Sequence, residues 1–580
     1  MRSSVKFMAC AMASVLALGA ASAQAAVSSL KNPPAGGKAP QIHFGPFQHV
    51  VVIYEENHSF DNLYGLWGSV GADTVNGLTP ALLTTASQVR QDGTLLGCLP
   101  QDDVNLAAVP ATCNDNAEAP TISSAFVNAP FRIDDYITST DTTCPAPGVF
   151  ATNGVLKGAG LAGGCTRDLI HRYYNEQYQI DGGKQDRYVL AADAQGLSMG
   201  YYDTTQLPLY TYLHSGSAPN YIIADNFFQG AFGGSFLNHQ LLVAATAPTF
   251  AGALNDGSAN DLHSVLDANG MAGSTLLYTP TRAGTIDAQL TQSCAPGGAR
   301  PASISGFVCG DYAVNTIQPF YQPYSPGTAT AKRLPPLTNK TIGDLLNTKK
   351  VSWAWYSGGW SNADGDVGAP GWTNGPATGA HTGCIDPNAV TTTIWPICPD
   401  KLFQFHHQAF NYYKAYGPGT ANRKTHLKDE AEFISRADLG NLPTVSFIKP
   451  IGEENEHPGY ASDSNGESHL VDLLNHIFNG PNGHNTLVIV TYDEFGGQYD
   501  HVAPPGAGGQ GPHDIWGPGT RIPAVLISPL LTQSAVDHAE HDTTSIAATL
   551  ETMFGMPALT TRDQNVGDLF DATMARALGF

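Results

Sequence analysis

Two segments place acidic residues directly after strongly apolar runs. Gln48 to Tyr54 is a continuous β-branched stretch followed by Glu55-Glu56-Asn57-His58-Ser59-Phe60-Asp61, and Asn485 to Tyr492 is followed by Asp493-Glu494-Phe495-Gly496-Gly497-Gln498-Tyr499-Asp500-His501. If both runs are buried strands of one sheet, Glu56, Asn57, Asp493 and Glu494 leave it at carboxyl ends, where α/β sheets gather ligands. Their oxygens are hard donors, suited to a divalent ion such as Mg²⁺, Ca²⁺ or Mn²⁺ rather than thiolate-loving Zn²⁺. The alternative for the same carboxylates is helix capping or simple solvation. A third segment, Gly230-Ala231-Phe232-Gly233-Gly234-Ser235-Phe236-Leu237-Asn238-His239, puts a hydroxyl at the start of an apolar helix, where the dipole and free N–H groups favour an oxyanion. Ser235 could equally be an ordinary N-cap. No G-x-S-x-G elbow is present, which disfavours a serine esterase.

The elements that must position these residues alternate in type. Besides the two runs above, Ile522 to Ser528 reads as a strand. Helical patterns cover Asp168 to Tyr178, Thr341 to Leu346, Leu402 to Tyr416, Lys428 to Arg436, Ser468 to Asn479 and Thr543 to Phe554. Strands alternating with helices predict an α/β fold with a mainly parallel sheet. Residues 40–580 read as one domain, with Gly-, Pro-, Thr- and Asn-rich insertions near 75–160 and 255–395. There is no internal repeat.

The 580 residues are 42% hydrophobic and 13% charged, which excludes disorder for the bulk of the chain. A formal net charge of −22 argues against a broad nucleic-acid-binding face. Arg2 and Lys6, the apolar run Phe7 to Gly19 and the small residues up to Ala25 form an export signal with cleavage expected after Ala23 or Ala25. The mature protein is therefore expected to be periplasmic or secreted, with no integral membrane segment. Outside that signal eight cysteines fall as four close pairs, Cys98/Cys113, Cys144/Cys165, Cys294/Cys309 and Cys384/Cys398, predicting four local disulfides in an exported chain.

Taken together, the motifs resemble those of the bacterial phosphoesterase family that includes phospholipase C and acid phosphatases, on an alkaline-phosphatase-like core. The resemblance rests on His49 through Asp61, the Gly233 to His239 turn, Glu456-His457-Pro458-Gly459 and Thr491 through Pro505. It implies that Glu56, Asn57, Asp493 and Glu494 hold a metal together with Ser235, and that Ser235 is the nucleophile. His457 is then a catalytic histidine that binds or protonates the reacting group. His58 stands where Arg is common, and Gly234-Ser235 replaces the Pro-Thr of the lipase branch; both lean toward the acid phosphatase branch.

His171 and His407 are the other histidine candidates, each of which could instead be a hydrogen-bonded core residue, and spacing does not separate His407 from His406. His501 and His541 are expected near the Asp-Glu turn, in a supporting place. The expected reaction is two-step phosphoryl transfer through a phosphoserine, with His457 or His171 protonating the leaving alcohol. A phosphate monoester is the expected substrate and a phospholipid headgroup diester the alternative. A non-catalytic exported metal- or ligand-binding protein is the reading from another class.

Overall fold

The computed structural model describes residues 47–580 apart from 250–263, 268–306, 311–312, 374–401 and 507–513 and the positions 91, 102, 108, 118–120, 326–327 and 515. The export signal and the cysteines at 294, 384 and 398 lie outside the described residues. Cys98–Cys113 and Cys144–Cys165 are disulfides, with Cα–Cα separations of 6.0 and 4.7 Å. Such short closed loops contribute about 2–4 kcal/mol each through the unfolded state.

Eight strands form the central sheet: β1 (His49–Glu55), β2 (Tyr221–Ala224), β3 (Trp353–Ser357), β4 (Leu427–Asp429), β5 (Val445–Lys449), β6 (Thr486–Tyr492), β7 (Ala524–Ile527) and β8 (Ala535–Asp537). Their order is β4-β3-β5-β1-β6-β7-β2-β8. Neighbours run parallel except at β7, which is antiparallel to both β6 and β2. The central strands are buried from end to end, β6 entirely and β1 from Val50 onward. Burial on both faces is why their sequences are continuous apolar runs rather than alternating ones.

The helices that matter for the site are α1 (Phe60–Tyr64), α2 (Tyr173–Ile180), α3 (Ser235–Ala244), α4 (Ile342–Lys349), α5 (Glu430–Leu439), α6 (Asp463–Asn479) and α7 (Thr544–Phe554). Side-chain alternation along β3 shows that they cover both faces. The Trp355 ring lies 6.2 Å from that of His239 on α3, while the next residue, Tyr356, lies 5.3 Å from Phe433 on α5. Every residue of α3 is buried, so it is a core helix held by packing on all sides rather than an amphipathic surface one.

Three expectations change. The segment Leu402 to Tyr416 is not a helix but three consecutive 3₁₀ turns, Phe405–His407, Ala409–Tyr412 and Lys414–Tyr416. None has a side-chain N-cap, and Gln408 and Tyr413 break the helical dihedrals between them. The Asp168 helix starts only at Tyr173, because the residues before it form the wall of a cleft. Lys428 belongs to β4, and α5 begins at Glu430 after the N-cap Asp429, whose side chain accepts from Ala431 N.

Candidate active site

The register of β1 against β6 pairs Glu55 with Tyr492, so Glu56 and Asp493 leave the sheet side by side. Asp493 N–H donates to the Glu55 carbonyl at 3.1 Å, and Asn57 N–H donates to Asp493 Oδ1 at 3.2 Å. Asn57 sits in the left-handed region at φ 65°, which Asn tolerates better than most residues, with its amide against His457 and His171. Gly496, at φ 62°, lets the second turn fold back so that its N–H holds Glu494 Oε2 at 2.6 Å.

Ser235 reaches the same place from α3. Gly233 has φ 88°, and a Cβ there would stand 2.5 Å from Tyr173 N. Only glycine lets this turn pack onto the start of α2. Gly234 is the N-cap and Ser235 the first helical residue, so the hydroxyl is not the cap and is free for chemistry. It donates to Glu56 Oε2 at 3.2 Å.

His457 and His171 close the other side. Asn57 Nδ2 lies 2.8 Å from His457 Nε2 and 3.4 Å from His171 Nε2. The Nδ1 atom of each ring faces a carbonyl, Pro458 O at 2.6 Å and Leu169 O at 2.5 Å. Nδ1 must therefore carry the proton, which leaves both Nε2 atoms as acceptors directed at the cleft. Burial, followed for His457 by repulsion from His171, pushes both imidazoles down from 6.5, His171 to about 4. The cleft, about 320 Å³, is lined by His171, Ser235, His406, His457, Phe150 and Tyr460 among others.

His407 and His406 have separate places. His406 lines the cleft, whereas His407 Nδ1 stands 3.0 Å from Glu56 Oε1 behind it. Two residues missed by the sequence reading complete the site. Lys449, the last residue of β5, is buried with its amine on Glu56 Oε1 and on the Tyr54 carbonyl at 2.8 Å. His239, one helical turn after Ser235, donates from Nδ1 to Ser235 O at 2.7 Å and lies 3.7 Å from Asp493 Oδ2. The i,i+4 spacing from Ser235 was the available signal for His239. Of the histidines expected near the Asp-Glu turn, His501 bonds to Asp61 at 2.7 Å and His541 to Asp537 at 3.0 Å.

The charges fit a divalent cation. Burial comes first and mutual repulsion second in pushing Glu494 and Glu56 well above the usual carboxylate range; Asp493 is also pushed up by burial. Three carboxylates face one ammonium, Lys449, and when all are ionised the excess of two negative charges is one that a divalent cation would offset. Asn57 Oδ1, Asp493 Oδ2 and Glu494 Oε1 are buried without a hydrogen-bond partner, a state that costs several kcal/mol unless something compensates it. Glu494 Oε1 is also 3.4 Å from His171 Nε2, and two acceptors at that distance repel unless a cation or proton lies between them.

The Phosphoesterase family model matches residues 47–557, and the chain belongs to that family. It is 24% identical to phospholipase C B of Mycobacterium tuberculosis over 558 residues, spanning 91% of this chain and 77% of that one. Over 161 residues it is 28% identical to non-specific phospholipase C6 of Arabidopsis thaliana, a match that spans 23% of this chain and 31% of the plant protein's length. Among solved structures it aligns with a protein of the alkaline phosphatase superfamily from Vibrio parahaemolyticus at 15% identity and a TM-score of 0.21, covering 40% of this chain and 50% of that one. No helix among the described residues is long and apolar enough to cross a membrane.

Proposed function

We propose that this protein is an exported, metal-dependent phosphoesterase that cleaves a phosphodiester of the phospholipase C type, with Ser235 as nucleophile. The observation that carries the reading is the convergence of Ser235 Oγ with Glu56 and the partnerless oxygens of Asn57, Asp493 and Glu494. Those four residues would hold the ion together with Ser235. Such an ion would supply positive charge to acidify the serine hydroxyl and offset charge on the phosphoryl oxygens.

The chain's own groups do the rest. Glu56 Oε2 accepts the hydrogen bond of the Ser235 hydroxyl and is placed to receive its proton. Ser235 Oγ attacks phosphorus at the N-terminus of α3, whose dipole favours the negative charge that gathers there. Burial keeps His171 and His457 neutral. A phosphoryl anion between them raises their pKa, so that one imidazole takes up a proton from solvent at Nε2 and donates it to the leaving oxygen. Water subsequently hydrolyses the phosphoserine.

The relatives named phospholipase C favour the diester over the monoester suggested by the Gly234-Ser235 turn. Hydrolysis of simple phosphomonoesters remains the second reading, because that turn departs from the Pro-Thr of the lipase branch. Comparing kcat/KM for p-nitrophenyl phosphate and p-nitrophenylphosphorylcholine separates them: a preference of tenfold or more for the diester is expected. A monoester preference would return the assignment to acid phosphatase, and no hydrolysis of either would sink both. Export rests on residues 1–25, and N-terminal sequencing of protein from a periplasmic fraction should begin at Gln24 or Ala26.

A further inference from the structure

The sheet face opposite Ser235 carries ligand-type side chains that phosphoester cleavage does not use. Glu55, the last residue of β1, alternates with Tyr54 and Glu56, which face α3, so its carboxylate enters the layer of α5 and α6. There Glu430 of α5, His469 of α6 and Glu454 of the loop after β5 bring one ligand atom each within 4.8 Å of one another. His469 Nε2 is 2.8 Å from Glu430 Oε1 and 3.7 Å from Glu454 Oε2. Glu55 and Glu430 are 0% and 5% exposed. Both oxygens of Glu55 and Oε2 of Glu430 have no hydrogen-bond partner. Burial pushes the Glu55 carboxyl up to about 8 against the attraction of Lys449 and His469, with repulsion from Glu430 and Glu467 adding to the rise, and the Lys449 amine is already engaged by Glu56 and the Tyr54 carbonyl.

We propose that Glu430, Glu454 and His469 bind a second divalent cation, with the partnerless Glu55 carboxyl beneath them. One imidazole nitrogen among carboxylates moves the preference from Mg²⁺ and Ca²⁺ toward first-row transition ions, and Zn²⁺ is the ion we assign. Glu454 lies in the connection between Lys449 and His457, so the ion fastens that loop to α5 and α6. Its role is to hold His457 in place from the far side of the sheet. Glu454 is the accessible member, with its side chain 44% exposed, and it marks the entry path.

The test is calorimetric titration of chelator-stripped full-length protein with Zn²⁺ alone, in the D493N background, which weakens the site around Ser235 and is shared by every variant compared. D493N should show a Zn²⁺ binding step that is at least tenfold weaker in D493N/E454Q and is missing from D493N/H469Q. Because Glu454 is at the surface, E454Q keeps its fold and decides the question even if H469Q does not fold. Absence of Zn²⁺ binding by D493N, or identical isotherms for D493N and D493N/E454Q, overturns the proposal. The readout is binding, so it stands apart from whether the protein cleaves monoesters or diesters.

Discussion

The Ser235 hydroxyl donates to Glu56 Oε2 across 3.2 Å, although the two residues are 179 positions apart. Glu56 Oε1 is meanwhile occupied by Lys449 and, at 3.0 Å, by His407 Nδ1. One carboxylate thus accepts the serine hydrogen bond on one oxygen and meets its counter-charge on the other, which ties Ser235 to the ends of β1 and β5.

Replacing Ser235 with Ala should therefore abolish the chemical step while leaving packing nearly untouched, since only one hydroxyl is removed. A fall in kcat on the order of 10³-fold or more is expected, with unchanged circular dichroism. Near-normal turnover, or phosphate trapped on another side chain, would remove Ser235 from its role.

Asp493→Asn keeps shape and removes one of the three negative charges around Ser235. Activity and the active-site ion should be lost together, with Mn²⁺ affinity reduced by about tenfold or more. Full activity in wild-type protein shown by elemental analysis to be metal-free would disprove the metal site.

Lys449→Met leaves Glu56 buried without its ammonium. In stripped protein this should cost about 3–5 kcal/mol in urea unfolding. Adding Glu56→Gln should recover a large part of the loss, because the stranded charge is then gone. A purely additive double-mutant cycle would show that the two side chains do not interact.

The acidic ends of β1 and β6 were readable because a doubly buried strand is a continuous apolar run whose end is marked by the first polar residue. Glu56, Asn57, Asp493 and Glu494 fall at such ends, and the structure brings them to Ser235, His171 and His457. Lys449 was hidden because its strand, Val445-Ser446-Phe447-Ile448-Lys449, is short and interrupted by a serine, too little pattern to register. Leu402 to Tyr416 misled in the opposite direction. Its apolar spacing fits a helix, yet packing of Phe403, Phe410 and Tyr412 in the core is achieved with 3₁₀ turns. The antiparallel direction of β7 depends on chain path, which local composition does not encode.

The pair His541–Asp537 gives a pH dependence separate from the active site. The two are 2% and 4% exposed and bonded at 3.0 Å. Burial opposes the charge on His541, but its hydrogen bond and attraction to Asp537, with help from Asp571, raise its pKa above 6.5. Burial also opposes the charge on Asp537, which is nonetheless held below 3.8 by His541. A raised histidine contributes stability that is fully present below 6.5 and is lost as pH rises through its folded value; the lowered carboxylate contributes above 3.8 and is lost as pH falls. Asp571, pushed up to about 6 by burial and by Asp537, adds a loss with rising pH of the same sign as that of His541. The stability gap between wild type and His541→Gln should therefore be largest near pH 5, about 1.5–3 kcal/mol for a charge-assisted hydrogen bond, and should narrow steadily above pH 6.5. Urea unfolding at unit pH steps from 5 to 9 measures it, and a gap that is constant or widens toward pH 9 would mean that His541 is neutral in the folded protein.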